Sequence, residues 1–259
     1  MLRLLSLARR HRYLIANFIV RDLKIKYRDT VFGYLWSLLE PLSVVGIYYF
    51  VFVTLAGRGG QDFPLIVILG LLPWNFFSGV ILGSAQALRA NAELVLRAQI
   101  PREVYILANT TSNAVVLVLA MFSVIPFLFV FHVKIGVSAF LWPVAILMMA
   151  SFATGIGLMV ACANVVYRDV GYLLGVILRI ALYFSAAVYP IEMVPDRLRY
   201  LFSFNPVAVY LTLARSAILN RPTGLADEHL IVAAALAFGM LWVGAAFFPR
   251  LEQQAVKLL

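Results

Sequence analysis

Apolar residues along this chain gather into long unbroken runs, unlike the one-sided stripes of a surface helix or the alternation of a half-exposed strand. An α-helix rises about 1.5 Å per residue, so crossing a hydrocarbon layer takes about 20 mostly apolar residues. Six stretches reach that length, roughly 33–56, 63–87, 104–132, 139–163, 170–189 and 229–248. The pattern predicts an all-α integral membrane protein of six transmembrane helices, the third long enough to tilt or to bend at Pro126.

The polar intervals differ in kind. "GRGGQD" (57–62) and "VKIGVS" (133–138) read as short turns. Segment 190–228 is too long for a turn and alternates Pro and Asn breakers with apolar stretches of about ten residues. Two short helices are expected there, about 195–203 and 206–219, dipping into the membrane and returning. Segment 1–32 precedes the six-span domain of 33–259. In it Asn17, Arg21, Lys24 and Arg28 recur at helical spacing beside an apolar stripe of Ala16, Val20, Leu23 and Tyr27. This predicts an amphipathic helix in the headgroup layer, or else a bare basic anchor. Its apolar run Tyr13–Val20 is short and interrupted beyond by Arg21, Asp22 and Lys24, so it is expected to be retained and not cleaved as a signal peptide.

Charge sets the orientation. Segment 1–32, the connectors after spans two and four, and the tail hold 14 Lys and Arg; the opposite face holds six, four of them in 190–228. Cytoplasmic loops carry the basic excess, so both termini are expected in the cytoplasm. The chain is 63% hydrophobic and 13% charged, against about 25% charged in soluble domains. Its net charge of +9 sits in short connectors, which suits anionic membrane lipids and gives no face for nucleic acid.

Catalytic chemistry is missing. His11, His132 and His229 are scattered, no glycine precedes a lysine as a P-loop requires, and G-x-S-x-G and H-E-x-x-H do not occur. Cys162 lies in an apolar, small-residue setting and reads as a buried hydrophobe. Glu40 and Arg179 are the only ionisable candidates clearly inside the membrane, too few for the ion relay of a proton- or sodium-driven transporter. A passive channel, or a permease driven by a separate protein, remains.

Residues 88–100 of "LRANAELVLRAQIPRE" read as a cytoplasmic helix ended by Pro101, with Glu93 and Arg97 as an i,i+4 pair. Leu94 and Val95 suit a helix docking into a partner's groove, though a plain surface helix fits the same pattern. Glu40 and Pro41 interrupt the first span near its start, and Glu40 is expected to pair with Arg179 or with a polar group of another copy. Arg168 and Asp169 sit between spans four and five, either fixing that turn or meeting a lipid phosphate. Arg179 is expected to face the interior or to snorkel.

The ordered motifs "YRDTVFGYLWSLLEP", "NAELVLRAQIPREVYILAN", "VVYRDVGYLLGVILR" and "YPIEMVPDRLRYLFSFNPV" resemble the membrane subunits of ABC-2-type polysaccharide exporters, which serve O-antigen, capsule and teichoic acid export. The likeness covers nearly the whole chain, with Ile100 where the family often has Phe and Arg97 where it often has Lys. It implies a homodimer paired with two copies of a separate ABC ATPase, which binds ATP and Mg, in a bacterial inner membrane. A lipid-linked polysaccharide then passes outward along the dimer interface. On this resemblance 88–100 is a coupling helix, with Asn91, Glu93, Leu94, Arg97, Arg102 and Glu103 toward the ATPase. Helices about 195–219 form an outer gate around Pro195, Asp196, Asn205 and Pro206. Tyr48, Tyr49, Phe52 and Trp74, with Phe50, Phe76 and Phe77, are aromatic candidates for the path, joined by Glu40, Arg168, Asp169 and Arg179. Aromatics also belong at membrane interfaces and in helix packing. The rival readings are an ABC-2 exporter of a drug or lipid, and a membrane enzyme; the latter needs a surface acidic cluster for metal and diphosphate that the scattered acidic residues do not form.

Overall fold

The computed structural model describes residues 2–28, 30, 32–55, 57, 62–97 and 100–257. Among them are twelve α-helices and no strand. At the N-terminus lie α1 (Leu2–Arg10) and α2 (Arg12–Tyr27), followed by α3 (Trp36–Tyr49), which passes through Pro41 and loosens into a π-helical turn over Phe50–Leu55. Then come α4 (Phe63–Ala90), α5 (Ala92–Arg97), α6 (Glu103–Met121), α7 (Ile125–Val130), α8 (Leu141–Val166) and α9 (Asp169–Phe184). The last three are α10 (Asp196–Ser203), α11 (Pro206–Leu219) and α12 (Asp227–Val256).

Each of the six apolar runs is helical over most of its described residues, and among the described residues four helices have the length and composition to cross a membrane: Phe63–Ala90, Glu103–Val130, Val137–Val166 and Asp227–Ala255. The third tightens to a 3-10 turn at Phe122–Val124, just before Pro126, whose ring and missing N–H disturb the regular ladder. The fifth is shorter than the expected 170–189. It stops at Phe184 after 16 residues, and Ala186 follows in the left-handed region at φ 51°. The sixth runs on to Val256, through Pro249.

α4 is buried on nearly all sides and forms the centre, with α3, α6, α8, α9 and α11 against it. α8 packs along α12 so closely that a Cβ on Gly155 would lie 2.3 Å from the Met240 carbonyl, and one on Gly244 2.4 Å from the Gly155 carbonyl. Backbone contact of this kind is how membrane helices gain attraction when lipid is as apolar as their side chains. Polar bonds add to it: Asn109 donates to the Val80 carbonyl (2.9 Å) and Ser84 (3.0 Å), and Asn164 to the Ala85 carbonyl (2.8 Å).

α2 buries Ile15 and Phe18 against Tyr105 of α6, while Ala16 and Val20 are exposed. Of the apolar stripe expected on a helix lying in the headgroup layer, Ala16 and Val20 point outward from the bundle, Leu23 is half-buried, and the Tyr27 side chain lies outside the described set. We term the end carrying α1, α2 and α5 proximal, and the end carrying α10 and α11 distal.

Candidate functional site

At the proximal end the expected 88–100 helix is two pieces. Asn91 ends α4 with φ −117° and ψ 25°. Its amide donates to the Ala87 carbonyl at 2.7 Å, and its oxygen accepts from Arg21 of α2 at 2.7 Å. An Asn whose side chain bonds both ways competes with the helical ladder, which accounts for the break. Asn91 thus joins α4 to α2. In the six-residue α5 that follows, Val95 turns into the core, and Glu93, Leu94, Leu96 and Arg97 face outward. Residues 98–99 of the expected helix lie outside the described set. Glu93 and Arg97 pair at 3.2 Å with side chains 74% and 80% exposed, a contact worth about 0.3–0.5 kcal/mol.

Arg102 and Glu103 do not share that outward face. Glu103 is buried and meets Arg3 of α1 at 2.6 Å, and Arg102 meets Glu252 of α12 at 3.6 Å. The two neighbours thereby hold the first and last helices against the start of α6. The physical reason is local: Pro101 turns the chain inward, and a carboxylate carried into the interior requires a cation.

From this end a polar groove runs between α2, α4 and α6. One hollow of about 520 Å³ is lined by Asp22, Lys26, Gln86, Asn109, Ser112 and Asn113 among others. A second, of about 220 Å³, lies beyond it under the start of α3, where Lys26, Glu40, Asn75 and Asn113 meet. Gly83 lines the first hollow and Gly79 the second, where a Cβ would fall 2.1 Å from the Asn109 oxygen and 2.5 Å from the Asn113 oxygen respectively. The expected Glu40–Arg179 pair does not form. Arg179, on an exposed face of α9, donates instead to the Gly175 carbonyl one turn back at 3.1 Å.

The aromatic candidates separate. Trp74 is buried against Phe77 inside the chain, ring centroids 5.6 Å apart, and Phe76 is buried too. Tyr48 is half-buried and stacks on Phe52 at 6.0 Å, whereas Tyr49 and Phe50 are exposed. Phe52 lines an apolar hollow of about 600 Å³ at the distal end with Tyr189, Met193, Pro195, Leu198 and Phe202. Arg168 and Asp169 are exposed at the start of α9, where a carboxylate in the first turn complements the helix dipole. Their turn is held by Asn164, whose oxygen accepts from the Gly171 N–H at 2.9 Å.

The distal pair α10 and α11 bends by 90° between Ser203 and Pro206. Asn205 caps α11 by accepting from the Val207 N–H at 3.0 Å, with Pro206 in the first turn where its missing N–H costs nothing. Its amide also donates to the Phe184 carbonyl at 3.0 Å, tying the pair to the end of α9. Pro195 stands at the N-cap position of α10, ahead of Asp196. One residue counted by sequence among the distal cations behaves otherwise: Arg215 is buried and donates only to backbone carbonyls. An arginine inside the apolar stretch "VAVYLTLARSAIL" was the available signal, by the same rule that singles out Arg179.

Two kinds of comparison fit this architecture. Relatives include an O-antigen export system permease protein RfbA of Klebsiella pneumoniae, 28% identical over 92% of both chains. An RfbA of the same description from Myxococcus xanthus is 25% identical over 98% of both. The polysialic acid transport protein KpsM of Escherichia coli is 22% identical over 79% of this chain and 81% of its own. Residues 13–219, which take in α3 to α11 and the polar groove between α2, α4 and α6, match the membrane-domain model described as ABC-2 type transporter, and the chain belongs to that family.

Proposed function

We propose that this chain is the transmembrane subunit of an ATP-driven exporter that moves a lipid-linked polysaccharide outward across a bacterial inner membrane. One observation carries the reading: the chain aligns nearly end to end with permeases named for O-antigen export. The proximal end is then cytoplasmic, as the basic excess requires, and the distal pair is the outer gate. ATP and Mg belong to a separate ABC ATPase, since the chain has no Gly-Lys P-loop. Two copies of each subunit form the transporter. In support, α9 buries Leu178 but exposes Tyr172, Val176, Ile180 and Tyr183, with Arg179 among them. An arginine in the middle of a membrane helix is costly toward lipid, so this face suits a second copy or an aqueous path between copies.

On this reading α5 is the contact to the ATPase, with Glu93, Leu94, Leu96 and Arg97 at its surface and Asn91 fixing its angle. Co-purification with a candidate ABC ATPase subunit is the test. Leu94→Asp should abolish capture, and the Glu93→Lys, Arg97→Glu double reversal should weaken it while leaving the chain's own thermal stability unchanged. Normal capture and normal glycan export by Leu94→Asp would overturn the assignment.

A further inference from the structure

The end of α9 poses a problem of backbone chemistry. At 16 residues it is short for a crossing, and the chain leaves it at Ser185 as non-helical backbone that is fully buried through Val188. Buried carbonyls without partners are expensive, and irregular backbone at membrane depth persists only where protein supplies the missing bonds. Side chains supply bonds here, two of them at the exposed end of α9 and one within the buried segment. The Tyr189 hydroxyl donates to the Tyr183 carbonyl, and Asn205 to that of Phe184. Arg215 does most: its Nη2 donates to Ala186 and Ala187 (both 3.1 Å), its Nη1 to Tyr189 (3.3 Å) and its Nε to Ile66 of α4 (3.1 Å). Among the described residues no carboxylate forms an ion pair with it, so its direct partners are carbonyl oxygens, with the Glu192 charge acting from farther off. The site is shaped for this group. A Cβ on Gly70 of α4 would lie 2.3 Å from Arg215 Nη2 and 2.0 Å from the Ala187 carbonyl.

We infer that Arg215 is a positioning residue that splices the end of α9 to α11 and α4, so that the distal pair moves only together with α9. A planar fork with five donors can hold carbonyls from two elements at once, which a lysine point charge cannot do equally well. Because α9 begins beside the proximal end, the splice gives an event there a route to the distal pair. The inference rests on the exporter reading for what passes the gate, but its geometry does not.

The test uses the full chain with Cys162→Ala and Val188→Cys, the latter at a buried position inside the spliced segment. With Arg215 intact, a water-soluble maleimide should react slowly. Arg215→Met should raise that rate about tenfold or more, the response of a segment whose local opening is no longer opposed. Gly70→Ala should do the same with the charge still present, and Arg215→Lys should fall between. Arg221→Met, which removes the neighbouring 2.7 Å pair with Asp62, should change nothing. In the transporter assembled with its ATPase, Arg215→Met should lose export while hydrolysis continues. Slow labelling of well-assembled Arg215→Met, or fast labelling with normal export, would overturn the splice. So would failure of every Arg215 and Gly70 variant to accumulate, since the group then serves folding alone. Labelling needs neither glycan nor ATPase, so this arm fails or succeeds separately from co-purification.

Discussion

At the scale of single residues, the distal end turns on Asn205, whose two ends do different jobs: the oxygen caps α11 and the amide satisfies the last carbonyl of α9. Losing an N-cap costs about 0.5–2 kcal/mol, and a stranded carbonyl adds to it. Asn205→Ala should therefore destabilise the purified chain by about 1–2 kcal/mol in thermal unfolding, whereas Asn205→Asp, which keeps the acceptor and loses the donor, should recover roughly half. Equal loss in both variants would show that the cap contributes little. The same residue shows what sequence reveals at this scale. Asn before Pro announces a helix start from local chemistry alone, but the bond to Phe184 spans 21 positions and depends on where α9 stops. Arg215 is the sharper case. Counting it with loop cations treats it as solvated, while its four acceptors come from α4 and from backbone whose buried course no local pattern announces.

At the scale of elements, hydropathy located every long helix, because a continuous apolar run permits few alternatives in lipid. It misjudged ends. The fifth run continues past Phe184 in composition, so nothing local signals the stop; the break is stabilised from α11. The 88–100 helix breaks at Asn91 because Arg21, 70 positions away, holds the Asn oxygen. On α2 two apolar stripes lie side by side, and the Phe18–Tyr105 packing turns one of them inward and leaves Ala16 and Val20 outward. Helix contacts themselves hang on glycine placement that composition cannot rank. Gly155 and Gly239 both stand in apolar helices, yet a Cβ on the first strikes the Met240 backbone and a Cβ on the second meets nothing. Gly155→Ala should therefore cost about 1–3 kcal/mol by overpacking. Gly239→Ala should be neutral or stabilising by up to about 1 kcal/mol through helix propensity. Similar melting temperatures for the two variants would mean that the α8–α12 contact is looser than the backbone distances require.

At the scale of the whole molecule, the proximal end gathers helices from both chain termini around one short run, Arg102–Glu103. Arg3 and Glu252 lie 249 positions apart in sequence, and both are bound through this pair of neighbours beside α5. If α5 receives the ATPase stroke, Arg102 and Glu103 are the first rigid link behind it, transmitting to α1 and α12 together. Glu103 is nearly fully buried, so removing its partner leaves an uncompensated charge, which is far more costly than loss of an exposed pair. Arg3→Glu should accordingly weaken export more than Glu93→Gln, although Arg3 lies outside α5. The double variant Arg3→Glu, Glu103→Arg restores opposite charges at the 2.6 Å contact and should recover much of the lost export. A purely structural pair would show its defect in the amount of assembled protein. A transmitting pair should leave assembly and basal hydrolysis intact and lower the glycan moved per ATP consumed. The decisive measurement is that ratio in the four members of the Arg3–Glu103 cycle. Additive losses, with no recovery in the double variant, would mean that α1 rests on the bundle without taking part in the stroke.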